Sequence, residues 1–457
     1  MQITGLIGAH GILPAAQYLE SAHAFYGSTA YLALPSVFWL GAGDAALRGV
    51  AWTGAGLAVL LIFGIAPWAV LLLLWMLYLS LSVVGQDFLS FQWDALLLET
   101  GLLALLWAPL QWLPSRREPA PSPAARWLLV FLLFKLMFLS GATKLLSGDP
   151  TWRSGTALGY HFETQPLPAW TAWYAHHLPA TVHRALTYGS LATELVLPWL
   201  LFLPARYRRI RLCALAGLVG LQAGIAATGS YGFFNLLAIV LCIPLVDDGV
   251  LARIVPVRLA IREEDASARP RLLAAVAIVC LVPSALSFIR EITYTLPQTR
   301  GVSFFAMGDG VLSLVSPLRS FNGYGLFRVM TTERPEIVIE GSGDGQHWSA
   351  YEFRYKPGDV HRPPEFVAPY HPRLDWQMWF AALDPNGNRQ LLSSLGAGLK
   401  AGAPEILALM GRNPFPGSPP KSIRAIVYDY HFSTARERAA TGAWWTRTPL
   451  AEFPLAP

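Results

Sequence analysis

The stretch GVAWTGAGLAVLLIFGIAPWAVLLLLWMLYLSLSVVGQ (49–86) carries no charged residue. At about 1.5 Å per residue it is long enough, as helix, for two crossings of a ~30 Å hydrocarbon core. Glycine and proline in GIAP (64–67) mark the break between them. Further apolar runs lie at 91–113, 126–146, 183–204, 212–246 and 271–293, and 212–246 breaks at GSYGFF (229–234). The reading is a polytopic α-helical membrane domain of about eight spans. The segment 28–40 is too short and proline-broken to span and reads as interfacial or re-entrant. Composition agrees: 54% of the 457 residues are hydrophobic and 14% charged, whereas soluble proteins carry about 25% charge.

Basic residues in short loops set the orientation. Arg116, Arg117 and Arg126 follow the third run, Arg206, Arg208, Arg209 and Arg211 the fifth, and Arg253, Arg258, Arg262, Arg269 and Arg271 the seventh. These loops alternate to share one side, the cytoplasm. The opposite loops, 85–92, 147–182 and 229–233, hold one basic residue, Arg153. The last span therefore exits outward, and the chain divides into an exoplasmic or interfacial segment (1–42), a multi-span domain (43–294) and an exoplasmic domain (295–457). The net charge of +5 is a topology signal and points to no nucleic acid. Cys213, Cys242 and Cys280 lie in apolar runs and read as small buried hydrophobes. The N-terminus has no basic n-region and reads as lacking a cleavable signal peptide.

After residue 295 the pattern changes. EIVIEGSGDGQHWSAYEFRY (336–355) reads as two strands joined at Asp344-Gly345, and AIVYDYHF (425–432) as another. A β-rich, sandwich-like domain is expected. LDWQMWFAAL (374–383) is helix or strand; it either meets a client protein or forms core that docks on the membrane domain.

Ionisable groups inside spans are costly and mark a site or an ion pair. Asp94, Glu99, Lys135, Lys144 and Glu194 are such groups. Measured from the outward helix ends, Asp94 and Lys144 lie ~5 and ~3 Å deep, and Glu99, Lys135 and Glu194 ~12–16 Å deep. Depth thus matches Asp94 with Lys144, and Lys135 with Glu99 or Glu194. One reading is ion pairs joining helices. The other is an outward-facing pocket with Lys144 as general base and Asp94 tuning it, lined by Gln86, Asp87, Gln92, Trp93, Glu99, Lys135, Trp152, Arg153, Tyr160, His161 and Glu163. Trp170, Trp173 and Tyr174 suggest an interfacial helix in the loop 148–179. His161, Glu163, His176 and His177 lack the spacing of a metal site. No GxSxG elbow, Walker A or dinucleotide fingerprint is present, and no cofactor can be named.

Five ordered segments, GLIGAHGILPA (5–15), GQDFLSFQWDALLLETG (85–101), DPTWRSGTALGYHFETQPLP (149–168), YEFRYKPGDVHRPPEFVAPYHPRLDWQMWFAAL (351–383) and NPFPGSPP (413–420), closely resemble the lipase maturation factor family. That resemblance implies a membrane protein that helps secreted lipases fold, with a lumenal C-terminal domain in its endoplasmic reticulum members. Family members usually have a helix before the GLIG-like segment, so the resemblance also suggests a truncated start. The short, arginine-rich chain reads as a bacterial member, in the inner membrane with its C-terminal domain periplasmic. FLSGATKLLSGDPTWRSG (138–155) is more distantly similar to the lysine-bearing segment of the vitamin K-dependent γ-carboxylases. On that likeness Lys144 falls on the base lysine, and a lipid or quinone ligand belongs to the same reading. A maturation factor acting on an exported client such as a lipase is the leading expectation, a carboxylase-like membrane enzyme the alternative. A transporter ranks last, since no inverted halves are seen.

Overall fold

The computed structural model describes residues 2–115, 117–119, 121–246, 250, 262–264, 270–296 and 306–455. Arg116, Arg253, Arg258 and Arg269, used above for orientation, lie outside the described residues. Among the described residues five helices are long and apolar enough to cross a membrane: Asp44–Ile62, Pro67–Val84, Pro123–Leu146, Arg208–Thr228 and Ala275–Thr295. The other three expected spans are helical but fall short of that standard. Gln92–Trp107 has 16 residues and Phe234–Val240 has 7, extended by the 3-10 turn Ile243–Leu245. Ala180–Leu200 has 21 residues, but His183, Arg184 and Glu194 interrupt its apolar surface.

Local chemistry sets the helix ends. Pro67 and Pro123 open their helices, where a missing N–H costs nothing. Ala66, at φ +43°, turns the chain at GIAP, and its N–H donates to the Trp112 carbonyl (2.9 Å). Pro123–Leu146 is the most buried of the five long helices and packs against Gln92–Trp107, Ala180–Leu200 and Pro270–Thr295. Its crossing with Ala180–Leu200 is close because residue 141 is glycine. A Cβ there would lie 2.9 Å from both Glu194 Cβ and Leu195 Cγ.

The 147–182 loop is folded, with helices Pro150–Ser154, Ala157–Thr164 and Trp170–His176. Asp149 caps the first through Thr151 N (2.7 Å), and its second oxygen accepts Met330 N (2.5 Å). The loop meets the 229–233 turn through a bridge between Pro168 and Gly229 and a hydrogen bond from Ala169 N to the Thr228 carbonyl (3.0 Å). At the opposite end β1 (Arg117–Pro119) pairs in parallel with β2 (Arg262–Glu264).

The C-terminal region builds one antiparallel sheet from β3 (Pro335–Ser342), β4 (Trp348–Phe353), β5 (Met410–Arg412), β6 (Ser422–Phe432) and β7 (Trp445–Pro454). The strand order is β5-β4-β3-β6-β7. The expected hairpin is present: Ile339 pairs with Tyr351, and Asp344 Oδ1 accepts Gln346 N and His347 N (both 2.8 Å) while Gly345 takes φ +78°. The expected sandwich is corrected. Among the described residues the layer on this sheet is helical, because Leu374, Met378, Leu391 and Leu395 of Arg373–Leu383 and Arg389–Ala401 share a core with Ile337, Ile339 and Val427. Residues 316–330 lie among the membrane helices rather than in this sheet domain. Ser320 Oγ accepts Trp75 Nε1 (3.0 Å), and the Asn322 carbonyl accepts Ser287 Oγ (3.2 Å).

Gly141→Val should force the two crossing helices apart and destabilise the protein by about 1–3 kcal/mol, as overpacking does. Thermal melting in detergent measures it.

Candidate functional site

Helix Arg373–Leu383 is buried on nearly every side, as a helix wedged between two apolar surfaces must be. One side rests on β3, the other on the turn Gln86–Leu89 at the end of the bundle. Its polar groups reach every loop at that end. Arg373 makes a two-pronged ion pair with Asp94 (2.6 and 2.7 Å) and also donates to the Phe88 carbonyl (3.0 Å). Trp376 Nε1 donates to the Ser230 carbonyl (3.2 Å) and Trp379 Nε1 to the Thr164 carbonyl (2.8 Å). Gln2 accepts from Arg373 N (2.9 Å) and donates to the His371 carbonyl (2.7 Å). Of the two readings of 374–383, docking on the membrane domain is the one seen.

The expected partnership of Asp94 with Lys144 is corrected. Asp94 is satisfied by Arg373 and by the Tyr78 hydroxyl (2.5 Å). Lys144 instead donates to both oxygens of Glu194 (2.6 Å each), with its ammonium 4.7 Å from the Trp152 ring centre. Depth counting failed because it assumed that helices end at the same level. From the Gly141 crossing, Ala180–Leu200 runs fourteen residues back to its start while Pro123–Leu146 runs five more, so Glu194 is level with Lys144. The deeper pairing holds: Lys135 meets Glu99 (2.5 Å) and donates to Ser284 Oγ (2.8 Å). The other Glu99 oxygen accepts the Tyr324 hydroxyl (2.8 Å) and Asn322 N (3.3 Å). Every polar atom of that pair has a partner, which a charge pair in a low-dielectric bundle requires.

The remaining candidates scatter. Gln86 donates to the Leu13 carbonyl (3.0 Å), Asp87 is exposed, and Gln92 accepts Gly325 N (3.3 Å). Trp93 is buried against Phe91, His371 and Trp376. Trp152 Nε1 donates to the Phe327 carbonyl (2.9 Å), and Arg153 to that of Leu145 (3.3 Å). Tyr160 is exposed. His161 is buried, 3.3 Å from the Tyr231 hydroxyl, and its pKa falls from 6.5 to about 4 through burial and then the Lys144 charge. Glu163 turns the other way and accepts Phe432 N (2.5 Å) and His431 Nδ1 (3.3 Å) from β6. Among the described residues no group of three or more His, Cys, Asp or Glu is placed to hold a metal ion.

Sequence reasoning missed two arginines. Arg334, fully buried, donates to the carbonyls of Glu163, Gln165 and Pro166 and to Glu336 (2.5–3.1 Å). Arg373 gave no local signal: it lies far along the chain, and the depth count offered Lys144 for Asp94.

The same two-part architecture appears in the family comparison. The lipase maturation factor transmembrane domain matches residues 1–253, and the lipase maturation factor C-terminal domain matches 320–455. The chain belongs to the lipase maturation factor family. It is 36% identical to human lipase maturation factor 2, over 99% of this chain and 79% of that protein. It is 34% identical to lipase maturation factor 2 of Xenopus laevis (99% and 78% covered) and to bovine lipase maturation factor 1 (98% and 83%). No solved structure matches. Like the family's transmembrane part, this is a multi-pass membrane protein, and the Arg373–Asp94 pair joins its two family domains.

Arg373→Gln strands a buried carboxylate and should cost about 3–5 kcal/mol, with Asp94→Asn/Arg373→Gln costing less than the sum of Asp94→Asn and Arg373→Gln. Melting of the four proteins in detergent closes that cycle. A second expectation concerns acid. A histidine whose folded pKa is lowered binds fewer protons than in the unfolded chain, so its contribution is lost as pH falls below 6.5 and levels off near 4. His161→Asn should remove about 3 kcal/mol of that acid destabilisation, seen as a shallower fall of melting temperature with pH.

Proposed function

We propose that this chain is a membrane-embedded maturation factor for exported client proteins of the lipase type, working on the side of the bilayer away from its arginine-rich loops. Family membership supports the activity, and the names of its relatives supply the client class. The carrying observation is helix Arg373–Leu383, which ties the sheet domain to the N-terminal segment and all three loops at one end of the bundle. That makes the outward end a rigid platform rather than a domain on a tether. The eight helical runs taken as eight crossings, with the basic loops cytoplasmic, put the platform outside. In a bacterial cell that side is the periplasm.

The carboxylase-like alternative needs Lys144 as a free base. A lysine donating to both oxygens of one carboxylate, buried beneath Trp152, is better suited to joining two helices. Buried pairs of this kind tolerate apolar replacement when both partners change together.

In cells lacking their own factor, the full chain should raise the activity of a co-expressed secreted lipase per unit of lipase protein. A chain ending before residue 320 should not. Lys144→Met/Glu194→Leu should retain most of the effect. A double variant that melts like the parent yet has lost the effect would assign chemistry to Lys144, and no rise with the full chain would remove the client reading.

A further inference from the structure

A half-open cleft of about 390 Å³ lies between helix Pro270–Thr295, helix Ala306–Val315 and the chain that follows it. Ser287, Arg290, Tyr294, Leu312, Arg319 and Phe321 are among its walls. The size is within the roughly 300–1,000 Å³ of ligand clefts. Its depth can be read from its neighbours. Ser287 lies within hydrogen-bond reach of Lys135 (3.5 Å), which sits midway along Pro123–Leu146. Arg290 and Tyr294 lie about one and two turns further toward the docking end than Ser287, and an arginine side chain extends from there toward headgroup level.

Residues 316–323 form the inner wall, and past the turn Ser316–Leu318 they are not helical. Non-helical backbone at membrane depth is tolerated where it is packed in protein or lines a cavity. Here Trp75, Glu99 and Ser287 hold it. The charges around the cleft do not cancel. Glu291 lines the same cleft, is bonded to Arg328 and also feels the charge of its neighbour Arg290, so one carboxylate faces the arginines Arg290, Arg319 and Arg328. The Arg319 guanidinium donates to the Ser82 carbonyl (2.6 Å). Arg290 is exposed and, among the described residues, has no ion-pair or hydrogen-bond partner. A guanidinium in the outward half of a bilayer needs either water at the interface or an anion. On the same two helices, Ile289, Val311 and Leu314 present exposed apolar surface.

We infer that this cleft binds one anionic phospholipid of the outward leaflet, its phosphate on Arg290 and its acyl chains along the apolar surface of the two helices. Guanidinium–phosphate contacts are charge-assisted and geometrically specific. Arg319 adds a second positive charge at the inner wall. The site rests on the membrane placement of the bundle and not on the client.

Native mass spectrometry of the full chain, released from vesicles of equal phosphatidylglycerol and phosphatidylcholine, tests it. The parent should retain one phosphatidylglycerol in clear preference to phosphatidylcholine. Arg290→Gln should weaken that preference about tenfold or more, and Leu312→Trp, which fills the cleft, should remove the bound lipid with Arg290 intact. Because Arg290 bonds to nothing in the described protein, its replacement leaves the fold in place. Equal retention of the two lipids, or an undiminished preference in Arg290→Gln, overturns the inference. Displacement of the lipid by millimolar inorganic phosphate assigns the site to a soluble anion instead.

Discussion

The architecture depends on a carboxylate that cannot be left alone. Asp94 sits in the first turn of the helix Gln92–Trp107 and is buried. A charge so placed must find a counter-charge or neutralise. Among the described residues no cation of the bundle is bonded to it: Lys135 is committed to Glu99 and Lys144 to Glu194. Arg373 fills the vacancy from more than 270 residues away in the chain, a separation of 279. Its two-pronged geometry fixes position and orientation together. Once Arg373 is fixed, the helix it opens is fixed, and with it the tryptophans that reach Ser230 and Thr164.

Arg334 applies the same logic to the loop. The segment Glu163–Pro166 spans the end of helix Ala157–Thr164, where carbonyls lack a helical partner. One guanidinium gathers three of them beneath Trp445. Glu163, on the same segment, caps β6 by accepting Phe432 N. Loop and sheet are thus held by reciprocal polar contacts in a buried place, where each unmet group would be expensive. The sheet domain is accordingly fastened to the end of the bundle on which it docks.

Inside the bundle, the two lysine–glutamate pairs serve different junctions. Lys144–Glu194 sits beside the Gly141 crossing and joins two adjacent helices. Lys135–Glu99 draws in Ser284 from a third helix and Tyr324 and Asn322 from the chain that passes through the bundle. That chain belongs by contact to the membrane part although it follows the last helix in sequence. Its course links the cleft beside Arg290 to the Asp149 and Met330 contact at the loop.

Much of this was legible before any coordinates. Uncharged runs announce membrane helices because lipid excludes charge. GIAP and GSYGFF punctuate them because proline and glycine do not continue a helix, and a period-2 pattern around Asp344-Gly345 announces a hairpin. Those are local consequences of composition and spacing, and so is the placing of five ionisable residues at membrane depth. Which carboxylate meets which cation was not local. Glu194 reached Lys144 because one helix overshoots the other at a glycine crossing. Asp94 was met by Arg373 because a helix that could equally have been read as strand is folded back between sheet and bundle. The sequence by itself determined that buried charges exist and that each must be matched. Only the tertiary structure decided the matches, because relative helix height and domain docking are set by side-chain packing between segments far apart in the chain.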